Sequence, residues 1–100
     1  MIDYIKSIND LDVKFPSKTK KLITALNKFF NQYPLLVDGC LIRSNWDDVD
    51  IALIIESSTL YHYLQGEYGW EMHTKFYNSF DNTGYHPDPI NDCVIGFYKD

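Results

Sequence analysis

From Ser17 to Tyr33 the apolar residues Leu22, Ile23, Leu26, Phe29, Phe30 and Tyr33 return at the offsets of one helical stripe, which predicts an amphipathic helix over 17–33. Pro16 and Ser17 supply a start, with the serine hydroxyl able to accept from an early backbone N–H, and Pro34 supplies a stop. Lys18, Lys20, Lys21, Thr24, Asn27 and Lys28 fall on the other side and read as a solvated face. After Pro34 the spacing changes to continuous or alternating apolar residues. Residues 35–43 and 49–56 are therefore expected to be strands, joined by a loop at 44–48. In the second, Val49, Ile51, Leu53 and Ile55 share one face and Asp50, Ala52, Ile54 and Glu56 the other, and the first set is expected in the core.

Ser57 and Ser58 offer a cap for a short helix over 59–65, closed by Gly66. From Trp70 onward Trp70, Met72, Phe76 and Phe80 are in phase with a strand, and Asp81-Asn82-Thr83-Gly84 reads as a turn. Tyr85-His86-Pro87-Asp88-Pro89 reads as irregular, and Cys93 to Tyr98 as a buried final strand. The order indicates a single α+β domain over 1–100. Its mainly antiparallel sheet of about four strands would be covered by the 17–33 helix and the short helix.

Composition narrows the partner. The 100 residues include 14 acidic and 9 basic side chains, for a net charge of -5. Residues 1–28 hold six lysines against three aspartates, whereas residues 29–100 hold three basic against eleven acidic side chains. This acidic remainder would repel phosphates, which counts against nucleic acid on the Lys18, Lys20, Lys21 and Lys28 face and for a basic protein partner. No apolar run approaches the roughly 20 residues of a membrane span. The first residues lack a basic segment followed by an apolar one, so a cytoplasmic protein is expected. Cys40 and Cys93 lie in apolar runs without metal-ligand spacing and are read as buried free thiols, with a disulfide as the lesser alternative.

Catalytic signals are sparse. His62, His73 and His86 form no metal-binding pattern, and phosphate-binding loops, dinucleotide fingerprints and serine-nucleophile elbows are missing from the sequence. A Cys–His nucleophilic pair would draw on cysteines in apolar strands, where a thiol is inert. Asp48 and Asp50, two apart at the start of a strand, could share a divalent cation. Around them, Gly39-Cys40 and Asp48-Val49-Asp50 resemble the nucleotidyltransferase superfamily, whose small members carry a Gly-Ser turn before a strand beginning Asp-x-Asp. Here Cys40 replaces the serine, and the interval to Asp48 is shorter. The resemblance implies Mg²⁺ on Asp48 and Asp50, with Asp92 as a third carboxylate.

The stronger signal is aromatic. Eight tyrosines, six phenylalanines and two tryptophans exceed what a core of this size easily hides, and several stand beside acids. Trp46, Asp47, Asp48, Glu67, Tyr68, Tyr85 and Asp88 are accordingly expected to form a surface of aromatic anchors ringed by carboxylates. In size, charge and surface chemistry the chain resembles the immunity proteins that bacteria keep beside toxins of contact-dependent inhibition and colicin type. That resemblance implies a non-enzymatic, cofactor-free inhibitor that binds one-to-one over the active site of a basic, nuclease-type toxin. A phage-encoded inhibitor of a host defence enzyme has the same profile.

Overall fold

The computed structural model describes residues 17–46 and 48–100. A 3₁₀ turn at Ser17–Thr19 leads into helix α1 (Lys20–Gln32), followed by strands β1 (Leu41–Trp46) and β2 (Val49–Ile54). Helices α2 (Thr59–Leu64) and α3 (Glu71–Asn78) come next, and β3 (Tyr85–Asn91) and β4 (Val94–Lys99) complete the α+β fold. Among the described residues the sheet has four strands in the order β1-β2-β4-β3, and every neighbouring pair is antiparallel.

The expected core stripe of α1 forms: Leu22, Leu26, Phe29 and Phe30 are buried. They meet Ile51, Leu53, Ile95 and Phe97 of the sheet and Leu60, Phe76 and Phe80 of the helical side. Along β2 the alternation holds for Ile51, Leu53 and Ile55, which are all in this cluster. Val49 instead joins Ala52 and Val94 in a smaller cluster, with Trp46, Ile54, Ile90 and Tyr98 against it. Gly96 belongs where it is because of this packing. A Cβ there would stand 2.9 Å from Ile90 Cδ1 and 3.1 Å from a Tyr98 ring carbon.

Three elements differ from expectation. Residues 35–40 form turns, not the first part of a strand. Leu36 and Val37 donate backbone N–H to the Tyr33 carbonyl, and Cys40 to that of Val37, so this apolar run satisfies its backbone locally. Leu60 N–H donates to the Leu36 carbonyl at 2.9 Å and ties these turns to α2. Gly39 closes them at φ +91°, with its α-carbon pressed against the Ser57 carbonyl, so that a Cβ would collide with backbone.

The segment beginning at Trp70 is helix α3, not a strand. Met72, Phe76 and Phe80 are four apart, a spacing that suits either period. The helix prevails because it buries Phe76 and Phe80 against Phe29 and Phe97 and adds a Glu71–Lys75 ion pair one turn apart at 3.1 Å.

The third strand is Tyr85–Asn91, despite its two prolines. The Asp100 N–H donates to the Gly84 carbonyl, which sets the phase of the β3–β4 ladder. Tyr85, Pro87 and Pro89, opposite Lys99, Phe97 and Ile95, then occupy positions whose backbone N sides face away from β4. Both prolines therefore sit where a missing N–H costs no ladder bond, on an edge strand. They also make that edge a poor template for further pairing.

Candidate interaction surface

The seven residues expected to form one surface are divided by the fold. Trp46 is half-buried at the end of β1, packed on the smaller cluster, and Asp48 is exposed in the hairpin turn. Asp47 lies outside the described residues. Tyr85 is a correction: it is buried in the main core, because its strand position alternates inward. Its hydroxyl donates to Asp50 Oδ2 at 3.0 Å. Burial, then the hydrogen bond and charge of Asp50, hold the Tyr85 phenol above its ordinary pKa. Asp88 is exposed on β3. Glu67 and Tyr68 are exposed in the α2–α3 connection.

Of the carboxylates of the metal reading, Asp50 and Asp92 stand at opposite ends of β2. Asp50 receives the Tyr85 hydroxyl and the Lys18 ammonium, the latter at 3.2 Å. Asp92 sits in the β3–β4 turn beside the β2 end at Ile54, which pairs with Val94. Four residues of strand, roughly 13 Å, separate that end from Asp50. Among the described residues no cluster of three or more His, Cys, Asp or Glu side chains is arranged to hold a metal ion. Cys40 is buried and Cys93 half-buried, both as free thiols. Burial pushes Cys40 up to about 11, and burial with the Glu56 and Asp92 charges raises Cys93.

Exposed aromatic and aliphatic side chains gather elsewhere, on the helical side. The α1 end and the turns after it face α2 and α3 across a groove of about 450 Å³, lined by Tyr33, Pro34, Leu35, Leu36, Tyr63 and Met72. Leu35 at its rim is 87% exposed, an unusual position for an aliphatic side chain beside others of its kind. The Tyr63 ring, which lines the groove, contacts Tyr68 at a centroid distance of 4.9 Å, and Tyr68 is 65% exposed.

A second aromatic row runs along α3. Trp70, 60% exposed, meets His73 edge-on at 5.1 Å, and His73 stacks on Tyr77 at 4.5 Å. Desolvation, together with the Asp88 charge, raises the Tyr77 phenol and places Asp88 within electrostatic reach of this row. The two rows meet at the turn between α2 and α3, where Gly66 and Gly69 adopt φ of +79° and +92°. Gly66 lies directly under the Trp70 ring, leaving no room for a Cβ.

Carboxylates border both rows. Glu67 pairs with His62 Nδ1 at 2.7 Å, and Glu71 with Lys75. Glu67 and Tyr68 stand on this surface as expected, whereas Leu35, Met72 and Trp70, expected in strands, join it through the turns and α3. The usable signal was Leu35 directly after a helix-stopping proline, where an aliphatic residue has no helical face to join.

No helix among the described residues is long and apolar enough to cross a membrane. Comparison with protein-family models, with curated proteins and with solved structures gives no match.

Proposed function

We propose that this chain is a small inhibitor that binds a basic protein partner through the helical-side surface of Leu35, Tyr63, Tyr68, Met72 and Trp70, bordered by Glu67 and Glu71. The observation that supports it most is the groove beside Leu35, with aromatic rings exposed around it on a molecule of net charge -5. Large rigid side chains at a groove supply most of the binding energy in protein interfaces, and rim charges set orientation and association rate. The partner class proposed is a nuclease-type toxin neutralised one-to-one in the cytoplasm by occlusion of its active site, as an immunity protein does. Such a toxin carries basic residues to hold nucleic acid, and an acidic inhibitor competes for them.

The test is affinity capture from the source cells with the wild-type chain and with Leu35→Asp and Tyr68→Ala variants, at low and high salt. One stoichiometric basic protein should be held by the wild type, retained at moderate salt, and lost by both variants. Its toxic activity should fall on addition of the wild-type chain only. Capture that is equal for all three proteins would remove this surface from the proposal, and a captured protein whose activity is unaffected would remove inhibition.

A further inference from the structure

The lysines of α1 define a second site of opposite character. Along the helix, positions 20, 21, 24, 25, 28 and 29 form one wall of a groove of about 690 Å³, and the turn after α3 at residues 79–83 forms the other. Lys20, Lys21 and Lys28 all line it. Lys18 does not belong to the set, because its ammonium is spent on Asp50.

None of the three groove lysines makes an ion pair among the described residues, although the chain carries 14 acidic side chains. The acid in the lining is Asp81, on the wall opposite the helix. Three ammonium groups that line one concavity without an ion-pair partner among the described residues repel one another and attract an anion.

The shape says which anion. The lining runs along α1 from Lys20 to Gln32, about three turns and some 18 Å at 1.5 Å per residue, so the groove is a channel and not a cup. Its helix wall includes Ala25 and Phe29, and lysine stems add methylene surface. A nucleic acid strand would bring a long row of charges against the acidic remainder of the molecule, whereas a short acidic peptide brings only the few that the groove can match. Lys20 and Lys28 lie about 12 Å apart along the helix, close to the roughly 13 Å that separates residues four apart in an extended chain.

We propose that this groove binds an extended acidic peptide segment, with two carboxylates four residues apart reaching Lys20–Lys21 and Lys28 and an apolar side chain between them resting on Ala25 and Phe29. This proposal is independent of the helical-side surface above, since it involves other residues and the opposite charge.

The probe is a fluorescein-labelled peptide with two glutamates four residues apart and a leucine midway, titrated with the full chain by fluorescence anisotropy at about 50 mM salt. The controls are the same peptide with both glutamates changed to glutamine, and a single-stranded oligonucleotide of similar length. Saturable binding is expected, weakened about tenfold by Lys20→Gln with Lys28→Gln, about tenfold in the glutamine peptide, and little by Lys99→Gln. Circular dichroism and melting of the double variant should match the wild type, so that lost binding is not lost folding. Binding that is indifferent to the double variant, or no saturation into the millimolar range, would overturn the site. Tighter binding of the oligonucleotide than of the peptide would overturn the ligand class.

Discussion

Cys40 provides a test of the core that can be worked through in free energy. Its side chain is 3% exposed, its backbone N–H is held by the Val37 carbonyl, and burial raises its thiol from 9.0 to about 11, with a smaller push from Asp38. Ser58 works the other way by hydrogen bonding. Its hydroxyl, however, donates to the Ile55 carbonyl at 2.7 Å, and would have to leave that acceptor to serve a thiolate. At about 1.4 kcal/mol per tenfold, two powers of ten correspond to about 3 kcal/mol against the charged form in the folded state. Below pH 9 the thiol is protonated in both folded and unfolded chains, and pH has no effect through it. Between 9 and about 11 the unfolded chain loses the proton while the folded chain keeps it. The folded state then binds more protons, and stability falls as pH rises.

Tyr77 and Tyr85 are shifted the same way, so the wild-type curve alone does not isolate the cysteine. The difference between wild type and Cys40→Ala does, because the tyrosines are common to both. Urea unfolding at pH 8 should favour the wild type by about 1 kcal/mol, the cost of the small cavity left by the sulfur. By pH 11 that difference should have moved by about 2 kcal/mol in favour of the variant, approaching about 3 kcal/mol at still higher pH. A difference constant to within about 0.5 kcal/mol between pH 8 and 11 would refute the placement of this thiol in the core.

Other perturbations probe other layers. Phe76→Ala removes a ring that meets Phe29, Tyr77 and Phe80 at 5.1–5.3 Å and should cost about 3–5 kcal/mol in urea unfolding, with Phe76→Leu much milder. Lys18→Ala should cost less than about 1 kcal/mol, since the pair is half in solvent. Asp50→Ala, which also strands the Tyr85 hydroxyl, should cost more, about 1–2 kcal/mol by the same assay. Gly66→Ala should unseat Trp70, seen as a red shift and rise in quenching of tryptophan emission in a chain that remains folded. Changing Pro87 and Pro89 together to threonine restores outward N–H groups on the β3 edge; sedimentation at rising concentration should show more self-association than for the wild type.

The helix α1 and the inner face of β2 were legible because in each the apolar spacing matches one period only, and the last strand because its short β-branched and aromatic run follows a turn-rich segment. Leu22, Leu26 and Phe29 fit no strand, and Ile51, Leu53 and Ile55 fit no helix. At 35–40 and 70–80 the pattern is degenerate. A run of consecutive apolar residues carries no period, and residues four apart satisfy both periods, so tertiary burial of Phe76 and Phe80 decides. The third strand was hidden by Pro87 and Pro89, whose usual meaning as breakers fails on an outward-facing edge. Tyr85 was misplaced with them, since an inward position exists only once the strand does. The interaction surface was half legible for the same reason. Glu67 and Tyr68 stand out by composition, but Leu35, Tyr63 and Met72 adjoin only after the turns at 34–40 fold back onto α2.

These corrections bear on where a partner can approach. Had 35–40 been a strand, Leu35 would have alternated into the core or onto the sheet, and the molecule would have offered mainly its sheet edges. Instead, one edge is closed by two prolines, and Leu35 is displaced onto the helical side, where it meets rings carried by α2 and α3. The Leu60–Leu36 backbone bond joins these elements, and the positive φ of Gly66 and Gly69 sets the angle between the two aromatic rows. The surface is thus built on short elements anchored to the core through Leu60, Leu64 and Phe76, which holds its anchors in place before binding. A preformed arrangement of this kind loses little side-chain freedom on association. On the two readings proposed above, the carboxylates that border this surface and the lysines of the α1 groove would sort partners by sign.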